Sequence, residues 1–460
     1  MCRQAGLPAG DSAPGNHFLR QSLPAWSGGS FKKARALMNH RVVLATLAFL
    51  LIPFAGLQCT RQALAQTQPA NSEAAGLKQW PSQPPAGSPF ESSTELTGIV
   101  FTGRYAQYGH ADTWYPSWAA DGNLYSPWTD GEVNGITSSS GGQAPRTGYA
   151  TIRGDDPLHL EITNAATYPA SAVPYEGRYP SANLTYKGVW YYGTYCLHET
   201  PGKHLNWDVL GPFVGFRYST DYGKSWHETS HTPAHPLFSE PDHFAGKVKM
   251  GAPHVVDFGR EMQYSPDGKA YLVAHGSSDP DPNPRNADLS WITGDEIYLA
   301  RVKPSPHNID TAAKYEFFAG YNRRGEAIWT HNFASIKPML KWDNHMGSVT
   351  MTYDAPLKKY LLVVTDGGTT ISKFDTYILE SSQVSGPWKL VTYMKNFGEQ
   401  GYFVNFPSKF ISQDGKVAWL SYSANFTNGP NGSHYESNPA GGGYWWTLQE
   451  VHLLGPAQPQ

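Results

Sequence analysis

Two aspartates framing one hairpin are the first residues in this sequence whose type and spacing could do chemistry. The stretch DTWYPSWAADGNLYSPWTD runs from Asp112 to Asp130, with an aromatic-rich run on each side of an Asp121-Gly122 turn. Crowded carboxylates raise one another's pKa, so one can stay protonated as an acid while the other is ionised as base or nucleophile. Cleavage of a glycosidic bond needs such a pair. Carboxyl separations near about 5 Å give retention of configuration, and separations of about 6.5–9.5 Å give inversion.

The register of the hairpin decides whether the pair can form. A two-residue loop at Asp121-Gly122 sets Asp112 against Gly131 and puts Asp130 on the other side. A three-residue loop over Ala120-Asp121-Gly122 with a bulge sets Asp112 and Asp130 directly opposite, with Cβ atoms about 5 Å apart. The residues permit either. Taken alone, Asp130 also reads as a cap on the turn Thr129-Asp130-Gly131.

Internal repeats extend the set of acids. Tyr115-Pro116-Ser117 recurs as Tyr179-Pro180-Ser181 and as Phe406-Pro407-Ser408, with weaker copies at Ala252-Pro253-His254 and Met346-Gly347-Ser348. Three residues upstream of these units stand Asp112, Glu176, Phe403, Lys249 and Asp343. If the units are equivalent inner strands, these positions ring one end of a central channel, and Asp112, Glu176 and Asp343 form an axial acid set. A polar, water-filled channel mouth would explain the same pattern without chemistry. His110, His254, His345 and Lys249 lie close enough in sequence to contact a substrate there. Trp114, Trp118 and Trp128 offer sugar-stacking faces or core packing, depending on which way each points.

These residues need an architecture to position them. The repeats are spaced by roughly 60 to 90 residues, room for a four-stranded blade with its loops. With Gly 46, Pro 36, Trp 15 and Tyr 27 but only 16% charged residues, the chain lacks the makeup of long surface helices. The expected fold is all-β: a five-bladed β-propeller with four-stranded antiparallel blades. Ser219-Thr220-Asp221-Tyr222-Gly223-Lys224-Ser225-Trp226 fits the Asp-box pattern, in which Ser and Asp close a turn and Trp packs between strands. That pattern speaks for a blade and hardly at all for catalysis.

The remaining bounds are set by charge, cysteine and the N-terminal stretch. A net charge of −3 gives no electrostatic reason to expect nucleic acid as a partner. Residues 42 to 57, VVLATLAFLLIPFAGL, follow Lys32, Lys33, Arg35 and Arg41 and precede Ala63-Leu64-Ala65. This reads as a signal peptide over 38–65 starting at Met38, with 1–37 an upstream extension outside the gene's true start. The product is expected to be secreted or periplasmic, with no stable membrane insertion after cleavage. Residues 66–96 read as a flexible lead-in and 97–456 as the propeller. Cys196 alone remains in the mature chain, within an apolar strand, and reads as a buried small hydrophobe. No Cys/His spacing suggests a metal site, and no cofactor is expected. The loop DPDPNPRNADLSW reads as solvated, since alternate prolines prevent an EF-hand turn.

The stretches DTWYPSWAADGNLYSPWTDGE and GSVTMTYDAPLKKYLL resemble the exported five-bladed endo-D-arabinanases of glycoside hydrolase family 183. The likeness covers most of residues 100 to 425 at the level of pattern, most specifically in the first hairpin. It implies that Asp112 and Asp130 are the catalytic pair, and therefore the bulged register. It implies an arabinan-like polysaccharide as substrate. Two other classes fit the composition. A propeller polysaccharide lyase would use His and Tyr, with Lys249 and His254 as the place to look, and a non-catalytic lectin would keep the aromatic channel without needing an acid pair.

Overall fold

The computed structural model describes residues 78–80, 83–198, 208–240, 247–277, 289–367, 373–424 and 439–456. Their strands form five antiparallel sheets arranged as the blades of a five-bladed β-propeller. Strand number varies between blades. The second blade shows three strands, Gly177–Tyr186, Val189–His198 and Val209–Ser219, whereas the fourth has four, Val349–Asp354, Lys359–Asp366, Asp375–Ser381 and Lys389–Met394. Because neighbouring blades cover both faces, a middle strand such as KYLLVVTD is buried at every position. Such a strand reads as a continuous apolar run rather than an alternating one.

The first blade is the hairpin expanded. His110–Asp112 and Ser117–Trp118 form its inner edge and pair with Leu124–Val133, followed by Arg146–Arg153 and Glu161–Pro169. The ring closes through the fifth blade, where the N-terminal strand Gly98–Tyr108 pairs antiparallel with the C-terminal strand Trp446–Leu454. Strands from the two ends of the described chain sharing one sheet close the ring, leaving only the short outer edges of the blades.

Inner strands run in one direction around the axis. A parallel bridge joins Asp257 to Thr352. Polar side chains tie inner strands of neighbouring blades: Asn183 Nδ2 donates to Tyr115 O at 2.6 Å, and Thr350 Oγ1 and Thr352 Oγ1 donate to Val404 O and Phe406 O at 2.6 and 2.7 Å. The starts of the inner strands therefore gather at one mouth of the channel and their ends at the other.

The expected lead-in needs correction. Lys78–Gln79 pairs with Val100 and Phe101, Trp80 packs on Phe101 at 5.1 Å, and Phe90 is buried. Ser93 N donates to Leu390 O at 2.7 Å, pinning this segment to the fourth blade. Aromatic anchors outweigh the Pro/Ser-rich composition here. The expected signal peptide and upstream extension lie outside the described residues.

The turn at Ser219 closes through side chains. Ser219 Oγ donates to Asp221 Oδ1 at 2.7 Å, and Asp221 Oδ1 also accepts Ser225 N at 2.8 Å. Trp226 packs against Trp190 and Tyr192. Cys196 is fully buried, and burial pushes its thiol up to about 12.

Candidate active site

Asp112 ends the short strand His110–Asp112, at the start of the first blade's inner edge. Its cross-strand partner is Thr129, while His110 faces Glu132. One residue, Ala111, therefore opposes two, Asp130 and Gly131, which makes a β-bulge. At the turn the register is that of the three-residue loop, with Ser117 and Trp118 opposite Tyr125 and Leu124 and Gly122 at φ 88°. The second bulge, beside the acids, then shifts Asp112 onto Thr129 instead of directly opposite Asp130. Gly131 is required: a Cβ there would meet His110 O at 2.0 Å. Asp130 takes a left-handed backbone, φ 50°, which turns its side chain to the same cavity as Asp112.

That cavity, about 210 Å³, is walled by Asp112, Thr113, Asp130, Tyr179, Tyr195, Leu197, Trp291, Tyr402, Phe403 and Tyr444. Three of these residues, Thr113, Asp130 and Phe403, are non-glycines with positive φ (62°, 50° and 53°). Such conformations cost of order 1–3 kcal/mol each and persist only where the surroundings enforce them. Their convergence on one cavity marks it as a place where shape outranks local backbone preference.

Hydrogen bonds fix both acids. Asp112 Oδ2 accepts Tyr402 Oη at 2.8 Å and Tyr444 Oη at 3.3 Å, and its Oδ1 accepts Thr113 Oγ1 at 2.7 Å. Asp130 Oδ1 accepts the backbone N–H of Ser140 at 2.7 Å. Tyr444 Oη also donates to the carbonyl of Asp130, so one phenol touches both residues.

No Lys, Arg or His is among the described residues that wall the cavity. Burial, reinforced by the negative charge of Asp130, pushes Asp112 up to about 8. Burial also raises Asp130, to about 6, and the Ser140 N–H restrains that rise by favouring the ionised form. The pair can therefore hold one proton near neutral pH, on Asp112 first.

Other expected site residues lie elsewhere. Glu176 is exposed just before the strand Gly177–Tyr186, and Asp343 is exposed in a turn with Lys341 at 3.6 Å. Neither walls the cavity, and the ring of three acids is not assembled. The repeats sit at different heights: Met346-Gly347-Ser348 precedes its inner strand, whereas Phe406-Pro407-Ser408 follows Tyr402–Asn405. Counting back three residues thus reaches different levels in different blades.

His345 gives its Nδ1 to Asp366 at 2.6 Å and stacks on Trp342, away from the cavity wall. Lys249 gives its backbone N–H to Glu240. His254 is buried lower in the channel against Tyr115, and burial drives it down to about 3, so it stays neutral. The Lys249 and His254 side chains do not meet at the acids.

Among the tryptophans, Trp114 and Trp128 are core: buried, stacked at 6.4 Å, with Trp446 continuing the stack. Trp118 lies at the other mouth of the channel, in a separate cavity. His110 is exposed beside Tyr444 and Trp445, next to the acids.

Several cavity residues escaped sequence reasoning. Tyr444, Trp291 and Leu197 arrive from other blades. Tyr402 stood beside Phe403, whose position the repeats had singled out, and Tyr179 belongs to a repeat motif itself. Among the described residues no group of three or more His, Cys, Asp or Glu is placed to hold a metal ion.

Solved structures with a similar chain course include a putative hydrolase, an arabinofuranosidase and a glycoside hydrolase. A putative hydrolase from Bacteroides ovatus matches at 13% identity and TM-score 0.43, over 82% of this chain and 93% of that one. An α-L-arabinofuranosidase from Podospora anserina, solved with cellotriose, matches at 11% and 0.41, over 82% and 98%. A family 117 glycoside hydrolase from Zobellia galactanivorans matches at 10% and 0.40, over 84% and 92%. No protein-family profile and no curated protein matches the sequence. At such identities the chemistry of this chain has to be read from its own residues.

Proposed function

We propose that the protein is an exported glycoside hydrolase that cleaves an arabinan-like polysaccharide, with Asp112 as general acid and Asp130 as base or nucleophile. One observation carries this reading: two acids share a cavity with no cation among its described walls, inside a shell of phenols and strained backbone. An uncompensated carboxylate pair is costly to a fold and useful to a reaction that needs one proton held and one position ionised.

The chemistry follows from the environments. Asp112, whose proton is held up by burial and by Asp130, donates it to the departing glycosidic oxygen. Asp130, held ionised by the Ser140 N–H, stabilises or attacks the sugar carbon that develops positive charge, directly or through a water. Tyr402 and Tyr444 then donate to the new Asp112 carboxylate, favouring the state reached after proton transfer. The aromatic walls present faces to an uncharged ring, and the volume is below the roughly 300 Å³ of a drug-sized pocket, which suits one sugar with the rest of the chain outside.

The lyase alternative lacks its parts here, because a uronate would need a cation against its carboxylate and the described walls offer none.

The experiment is a screen of the protein against arabinans, arabinogalactan and uronate polysaccharides with product analysis. New reducing ends without ultraviolet absorbance support hydrolysis; an unsaturated, absorbing product would replace the proposal with a lyase, and binding without products with a lectin. Activity is expected to rise with pH through about 6 and fall through about 8, as Asp130 ionises and Asp112 then loses its proton. A rate that stays flat across both limbs would remove the two acids from the mechanism.

A further inference from the structure

The propeller's far mouth holds a second cavity, about 320 Å³, larger than the one around the acids. Its walls come from the ends of the inner strands: Trp118 closes the first blade's inner edge, Tyr353 is the penultimate residue of Val349–Asp354, and Gln263, Tyr264 and Gln413 come from the loops that follow. Asp112 and Trp118 are six residues apart along one inner edge, at most about 20 Å of extended chain. The two cavities thus open at opposite ends of the channel.

The second cavity is built rather than incidental. Tyr264, 47% exposed, meets Tyr353 at 6.2 Å and 55°, forming an aromatic corner. Trp118 adds a second, half-buried aromatic wall. The loop presenting Tyr264 is strained and anchored: Glu261 and Met262 both have φ 54°, and Glu261 Oε1 accepts Ala120 N at 3.0 Å. Gly259, φ 84°, lets the Tyr264 ring lie over the backbone, where a Cβ would come within 2.8 Å of it.

Its charge is already spoken for. Lys409, the cation in the wall, gives its Nζ to the carbonyls of Gly122 and Gly154 at 2.7 Å each and to Asp155 at 2.9 Å. Aromatic faces and the side-chain amides of Gln263 and Gln413 remain. That combination recognises an uncharged, hydroxyl-rich ring: apolar ring faces stack, and amides bond hydroxyls.

We infer that this far-mouth cavity is a non-catalytic binding site for an uncharged glycan segment, which holds the polymer while the acid cavity works on it. The polymer's class rests on the glycosidase reading of the acid cavity. A second site raises apparent affinity for a chain long enough to occupy both and does nothing for a short one.

Affinity electrophoresis in gels containing soluble arabinan or arabinogalactan, with polygalacturonate as the anionic control, tests the site in an Asp112→Asn background that blocks turnover. Tyr264→Ala, an exposed position, is expected to weaken retardation by a neutral polymer about tenfold. In the otherwise unmodified protein it should raise KM for that polymer, with the rate on a short oligosaccharide unchanged. Gln413→Ala, which removes an exposed amide from the wall, should weaken retardation to a smaller extent. Retardation by neither neutral polymer, equal retardation of both variants and parent, or Tyr264-dependent binding of polygalacturonate would each overturn the inference. Full turnover by Asp112→Asn would instead sink the catalytic reading and leave the Tyr264 result standing.

Discussion

The turn at Asp221 and the bulge at Asp112 and Asp130 use the same residue type to opposite ends. Asp221 is half-buried at the surface, accepts the Ser225 hydroxyl and N–H and the Ser219 hydroxyl, and is pulled down to about 2 by those bonds. Asp112 accepts three hydroxyls and is nonetheless pushed up, because burial and a neighbouring carboxylate outweigh them. Hydrogen-bond count therefore does not decide the protonation state. Dehydration and like charge do, and they distinguish a carboxylate that builds a blade from one available to react.

The largest expected effect breaks the second half of that comparison. Asp112→Asn should lower kcat by about 10²–10⁴, the range of a lost general acid, in a protein of unchanged circular dichroism. It should also stabilise the fold at alkaline pH. A folded-state pKa raised above the ordinary 3.8 means the native protein favours the protonated form. The contribution is complete below about 4 and lost as pH rises through about 8. The Asn variant, which cannot ionise, should melt about 2–4 °C higher at pH 8 for about 1 kcal/mol of relief, with no gain at pH 4. A melting temperature that falls at pH 8 would mean the carboxylate is structural, like Asp221.

Tyr444→Phe is the next largest. It removes a donor to Asp112 and to the Asp130 carbonyl together. Since that donor favours ionised Asp112, its loss should move the basic limb of the pH–rate profile upward and cost about tenfold in kcat. A tenfold loss with an unmoved limb would assign Tyr444 to shape alone.

Asp221→Asn should act in the reverse sense, with activity held and stability reduced. Its folded-state pKa is depressed, so the contribution is present above about 4 and lost as pH falls through about 2. A lower melting temperature at pH 7 than the parent's, converging with it under strong acid, is the expected result.

How much of this could be read beforehand depended on whether the deciding force was local. The hairpin at Asp121-Gly122, the closed turn at Ser219 and the five-bladed plan were legible, because turn residues and apolar runs act over a few neighbours. Asp130's orientation was not, since a bulge beside the acids and a left-handed non-glycine are enforced by tertiary packing. Tyr402, Tyr444 and Trp291 were hidden for a different reason: they come from other blades, and nothing short-range ties them to Asp112. Trp114, Trp118 and Trp128 share one hairpin yet go to the core, the far mouth and the core, because alternation and strand length send neighbours to different places.

Glu176 and Asp343 give the smallest expected effect and the cleanest control. Both were drawn into an axial acid ring by counting residues from repeated motifs, and both are exposed and outside the cavity wall. Asp343 keeps Lys341 at 3.6 Å, an exposed pair worth little. Glu176→Gln and Asp343→Asn should leave kcat/KM within about twofold and melting within about 0.5 kcal/mol of the parent. If either instead lost activity on the scale of Asp112→Asn, the reacting acids would number more than two, and the working site would extend beyond the cavity that joins Asp112 to Asp130.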